Sequence, residues 1–209
     1  MLVAACRPGH TVCVGEHPEG IDTLASLRRA CPVDLWLDPM SPSTMVLMPF
    51  LDLDGRNHGG QPWRFLGRHC VGLRLLADPD DPVSGLVARC IVAARAWAFR
   101  REGDDAIVLM DYDVPWAYLA AIQRDLASVR EYRLSHLVAL AGHEGDWLGD
   151  WVAEHHDHPA VHSAVDEEAA AAGAAGVTTA PAVTAQGRIF EAATMPDDIH
   201  VQLARLVDA

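Results

Sequence analysis

The sequence predicts an α/β protein whose sheet is interrupted by a block of helices. Three observations lead there. Short apolar strands alternate with helical segments up to about residue 78. A middle region then carries apolar residues at helical spacing only. Near residue 182 the period switches back to strands before a last helix.

Taken in order, residues 12–14 read as a first strand, and residues 21–30 as a short helix with Leu24 and Leu27 on one side. Val33, Leu35 and Leu37 alternate as a strand should. Residues 42–51 look helical, beginning with Pro42 at the first position, where its missing N–H costs nothing; Pro49 should bend or end that helix. The glycines of "DGRNHGG" do not follow a strand as a phosphate loop must, so this is a connection. Residues 69–76 form another strand, closed by "DPDDP".

Leu86, Val87, Cys90, Ile91, Ala94, Trp97 and Ala98 then make one helical stripe, expected to be core. Weaker helices cover residues 115–128 and 132–141, and Trp147, Leu148, Trp151 and Val152 form a two-turn apolar face. Asp157-His158-Pro159 opens a further helix, which ends near Gly173 or Gly176. Residues 182–185 and 189–192 flank a Gln186-Gly187 hairpin turn. Pro196, Asp197 and Asp198 open a last helix with Ile199, Leu203 and Leu206 on its apolar face. The chain divides into residues 1–78 (βαβαβ), a helical insertion over 79–157, and 158–209, a helix followed by ββα.

Composition narrows the function. A net charge of −13 argues against nucleic acid, whose phosphates need a basic face. All sixteen basic residues are Arg, so a lysine Schiff base is excluded. Cys6, Cys13, Cys31, Cys70 and Cys90 are an odd count without a CxxC pair, which fits buried thiols in a reducing cytoplasm. No apolar run reaches the roughly 18 residues of a membrane span. "LVAAC" resembles a lipoprotein cleavage site only faintly, for it lacks a charged leader. The expectation is a cytoplasmic protein with no membrane partner, and the Trp-rich helices are a candidate surface for a homo-oligomer.

Chemistry concentrates at "LWLDPMSPST", where a strand turns sharply into a helix and offers only hydroxyls. Ser41 before Pro42 is a good N-cap followed by a good first helical residue, worth about 1 kcal/mol without any catalysis. His155, His156, His158 and His162 with Glu154 and Asp157 are a rival cluster. Donors on the two sides of Pro159 should diverge and no second half-site follows, so no metal is expected. His143-Glu144 lacks the second His of a zinc protease, and no G-x-S-x-G exists for a serine hydrolase. Arg68, Arg74, Arg100 and Arg101 read as solvated surface rather than an anion site.

The order of elements resembles the thioredoxin fold in its DsbA-like form. "CPVDLWLDPMSPST" looks like the strand leading into the C-P-x-C motif, with Ser41-Pro42-Ser43-Thr44 in its place. "AAGAAGVTTAPAVTAQGRIFEA" is similar to the G-V-x-x-T-P-x-x-x-x-x-G segment, and "HHDHPAVHSAVDEEAAAAG" to the helix before it. The resemblance spans about residues 10–208. It implies a cis bond before Pro181, facing the active-site corner. Within that family the motif looks closest to actinobacterial DsbA-like proteins, some of which use mycothiol, and to kappa-class glutathione transferases and 2-hydroxychromene-2-carboxylate isomerases, which carry S-P-Y-S. This chain departs from both: no aromatic follows Pro42, Thr44 replaces the second Ser, and Ala180 precedes the proline.

A dithiol oxidoreductase needs a thiolate nucleophile, and neither Ser41 nor Thr44 can supply one. The serine branch implies instead a thiol-cofactor-dependent transferase or isomerase acting on a small-molecule substrate. Ser41 and Thr44 would be its catalytic residues. Ser41, Pro42, Ala180 and Pro181 would hold mycothiol in an actinobacterial source and glutathione otherwise. The competing expectation is a non-catalytic binding or scaffolding protein, in which Ser41 only caps a helix. An open groove between Ser41, Pro181 and the insertion would favour the enzyme; Met40, Met45 or Trp116 filling it would favour the silent form.

Overall fold

A computed structural model describes residues 3–7, 10–12, 21, 28–30, 33–47, 71–104, 114–126, 132–144, 146–185 and 187–191. The central strand of its larger sheet is β4 (Val33–Leu37), flanked by β5 (Val71–Leu75) and β6 (Ala182–Ala185), with β7 (Arg188–Glu191) outside β6. β4 runs parallel to β5, with Leu35 level with Leu73, and antiparallel to β6, with Trp36 level with Ala182. β6 and β7 pair antiparallel across Gly187, whose φ of 74° suits a residue without a Cβ.

β4 is buried on both faces, as the centre of a covered sheet must be. Val33, Leu35 and Leu37 enter the main core, while Trp36 packs on the other side with Ala172, Val177 and Ala182. The helices are α1 (Pro42–Leu47), α2 (Pro82–Asp104), α3 (Val114–Leu126), α4 (Leu134–Glu144), α5 (Asp146–His155) and α6 (Pro159–Ala175). The predicted stripe of α2 is core: Val87, Cys90, Ile91 and Ala94 are buried. α6 begins where the sequence indicates, with His158 as N-cap and Pro159 in the first turn, and stops at Gly176 in the left-handed conformation.

This is the thioredoxin-type arrangement with helices inserted between the βαβ and ββ parts, as expected, but its first strand is β4. Of the expected first strand over 12–14, residues 13 and 14 lie outside the described residues. Val12 ends β2 (His10–Val12), which pairs with β1 (Val3–Arg7) in a separate sheet of order β2-β1-β3. Of the expected helix over 21–30, residues 22–27 lie outside the described residues. Ile21 is helical and buried, whereas Arg28–Ala30 form β3, parallel to β1 with Val3 level with Arg28. Leu24 and Leu27 gave a local helical signal, while the backbone of residues 28–30 takes its partner from a distant segment, which periodicity does not register.

The face of α5 is also corrected in part. Leu148 and Val152 are buried, and Trp151 Nε1 donates to the Ala93 carbonyl at 2.8 Å, but Trp147, in the first turn, is 79% exposed. Residues 48–51 of the expected second helix, the "DGRNHGG" connection and the helix opened by Pro196 lie outside the described residues.

Candidate functional site

The corner is built where β4 runs out. Ser41 N–H donates to the Asp38 carbonyl at 3.2 Å, closing a turn, and Met40 N–H donates to Asp38 Oδ1 at 2.9 Å. This is the local turn an Asp before a proline can make with its own backbone. Ser41 Oγ accepts from Ser43 N–H at 3.2 Å, so Ser41 is the N-cap of α1, with Pro42 in the first helical position.

Two contacts from the helical insertion hold the turn. Ser84, fully buried near the start of α2, donates from Oγ to Asp38 Oδ1 at 3.1 Å and accepts from Asp78 N–H at 3.0 Å. Gln123 of α3, 2% exposed, donates from Nε2 to the Pro39 carbonyl. Burial pushes the Asp38 carboxyl above the usual carboxylate range. The bonds from Met40 N–H and Ser84 Oγ draw it back, and the charges of Asp78 and Asp81 raise it further.

Ser41 is half-buried, and Pro42 and Ser43 are exposed. Thr44 is fully buried and its Oγ1 has no hydrogen-bond partner among the described residues. Its hydroxyl is thus enclosed where that of Ser41 is half-buried. The Ala180–Pro181 peptide is cis, as the resemblance implied. Pro181 immediately precedes β6, whose first residue Ala182 is level with Trp36, so the cis bond stands at the end of β4 from which the corner leaves. Ala180 is half-buried and Pro181 buried at this same end of the sheet. Trp116 is 2% exposed and part of the main core, and Met40 packs against that core; the side chain of Met45 is outside the described residues.

No cysteine stands in the corner turn or in α1. Cys90 is buried in α2, and desolvation pushes its thiol up to about 12, far from reactivity. Cys6 lies in β1, while Cys13, Cys31 and Cys70 are outside the described residues. The histidines serve their own helices. His155 stacks on Trp151 at 3.8 Å and bonds its carbonyl, His158 accepts from Ala160 N–H at 3.3 Å, and His162 Nε2 meets Asp157 Oδ1 at 2.8 Å. Among the described residues no three His, Cys, Asp or Glu are grouped to hold a metal, and no helix is long and apolar enough to cross a membrane. Arg74 pairs with Asp34 at 3.1 Å; Arg68 is outside the described residues, and so are the side chains of Arg100 and Arg101.

Sequence reading missed the polar supports. Glu168 is 1% exposed; its Oε1 receives Arg95 Nη1 at 2.5 Å and its Oε2 receives Leu75 N–H at 2.6 Å, tying α6 to α2 and to β5. The signal was present: Ala164, Glu168 and Ala172 stand four apart on the face of α6 that is buried. Gln123 and Ser84 gave no such signal, because their partners are remote backbone and side-chain atoms.

Three solved structures share this architecture. MdbA, a thiol-disulfide oxidoreductase from Corynebacterium diphtheriae, superposes with a TM-score of 0.59 at 16% identity, covering 83% of either chain. BdbD from Bacillus subtilis in its oxidised form gives 0.57 at 13% identity, over 86% of this chain and 90% of that one. A thioredoxin-like oxidoreductase from Silicibacter pomeroyi gives 0.51 at 15% identity, over 85% and 86%. No protein-family model and no curated protein matches the chain. The fold is therefore the DsbA-like thioredoxin fold, carried here by a chain whose C-P-x-C position reads Ser-Pro-Ser-Thr.

Proposed function

We propose that this protein is a redox-inactive member of the DsbA-like fold that works in the cytoplasm as a thiol-cofactor-dependent transferase or isomerase, taking mycothiol or glutathione. One observation carries the reading: Ser41 Oγ spends a lone pair on Ser43 N–H, which leaves its hydroxyl proton to donate, at a half-buried position. With no thiol in the motif, the sulfur must arrive with a ligand, and a thiolate accepting from Ser41 O–H is the arrangement this hydroxyl suits. The backbone beside the cis Ala180–Pro181 bond lies at the same end of the sheet and supports docking of the peptide-like part of such a cofactor. Asp38, whose carboxyl burial holds toward its protonated form, belongs to the same turn and is a group able to manage a proton.

A second reading is favoured by the packing of Trp116 and Met40 into the core and by the enclosure of Thr44. On that reading the corner is a folding device and the protein binds a partner without catalysis. Calorimetric titration with glutathione and with mycothiol separates the two. Under the first reading one thiol gives heat and Ser41→Ala weakens it. No heat with either thiol from a folded sample sinks the first reading.

A further inference from the structure

The turn that presents Ser41 is fastened from outside the sheet. Gln123 comes from α3, is almost fully buried, and spends its amide N–H on the carbonyl of Pro39, itself a buried residue. A buried carbonyl left without a donor is costly, so this contact selects one conformation of residues 38–41. Ser84 of α2 fixes the same turn from its other side through Asp38 Oδ1. The sheet supplies only the strand end, while both side-chain fasteners belong to the insertion.

We infer that Gln123 is a positioning residue for the Ser41 corner, through which the helical insertion sets the direction of the cap N–H groups and of the group at position 41. Asp38–Ser41 is a turn with short local bonds that several backbone conformations can satisfy, and a donor arriving from another element removes that freedom. Gln123 Oε1, also buried, has no hydrogen-bond partner among the described residues, so the amide is there for its donor side. The inference rests on the reading that the Ser41 corner is the working site, but not on the identity of any cofactor.

The test places a reporter in the corner. In Ser41→Cys, a thiolate at the cap position accepts from Ser43 N–H, which lowers its pKa and speeds its alkylation by iodoacetamide. Alkylation is followed at residue 41 by peptide mass spectrometry, so the other cysteines do not interfere. Gln123→Met keeps the volume and removes the donor; it is expected to slow alkylation at neutral pH about tenfold, as the thiolate loses its fixed N–H partner. Tyr132→Phe is the control, since it removes the bond from Tyr132 Oη to the Ile122 carbonyl of the same helix without touching the turn. It is expected to leave the rate unchanged. An unchanged rate in Gln123→Met, or equal slowing in both variants, would overturn the inference. If Gln123→Met fails to fold, Gln123→Glu, which puts acceptors in place of the donor, is judged by the same two outcomes. A silent titration with glutathione and mycothiol removes the cofactor reading and leaves this rate comparison standing.

Discussion

Replacing Glu168 by Gln should be among the most damaging single-atom changes in the molecule. Its carboxylate, 1% exposed, holds Arg95 at 2.5 Å and satisfies Leu75 N–H at 2.6 Å. Leu75 lies on β5, the outer strand of the four-stranded sheet among the described residues, so Glu168 also satisfies a backbone donor there. Arg95 Nε and Nη2 have no other hydrogen-bond partner among the described residues. The amide of Glu168→Gln can still accept from one donor, but it turns an NH2 group toward the other and leaves a buried guanidinium uncompensated. Breaking a buried pair from one side costs about 3–5 kcal/mol. For a chain of 209 residues that corresponds to a fall in melting temperature of about 10 °C. Urea unfolding followed by circular dichroism measures it directly. The double variant Arg95→Met with Glu168→Gln should recover most of the loss, because it removes both charges and keeps an amide oxygen for Leu75 N–H. A loss below about 1 kcal/mol in Glu168→Gln would refute the reasoning, since it would mean that Arg95 finds water or another partner.

Three further outcomes follow from the same geometry. Ser41→Ala removes the acceptor of Ser43 N–H and should cost about 1 kcal/mol in urea unfolding, while Ser41→Asp should keep most of it. Gly149→Ala places a Cβ 3.1 Å from the Val138 carbonyl and 3.2 Å from Gly142 Cα, where α4 and α5 meet. Backbone cannot yield as a side chain does, so a loss of about 1–3 kcal/mol is expected in the same assay. Asp38 supplies a pH dependence. Its carboxyl is raised in the folded protein, so the stability linked to its proton is fully present below 3.8 and is lost as pH rises through the folded value. Asp38→Asn can still accept from Met40 N–H and should be at least as stable as the parent at pH 7, with the advantage shrinking toward pH 4. A less stable variant with an undiminished pH slope, measured as urea midpoints across that range, would count against the burial of this charge.

The sequence by itself determined the kind of fold and the place to look. Val33, Leu35 and Leu37, the stripe of α2, the His158-Pro159 start and the Gly187 hairpin are all local patterns, written within a few residues of where they act. So is the Ser41 cap, whose partner is two residues away, and so is the absence of a cysteine from positions 41–44. Only the tertiary structure decided that β4 is the first strand of the larger sheet, that Thr44 is sealed, and that Ser84, Gln123 and Glu168 reach Asp38, Pro39 and Leu75. Those facts depend on which distant segment arrives beside a given backbone atom. Strand pairing and buried polar contacts take their energy from that arrival, and no period or spacing along the chain records it.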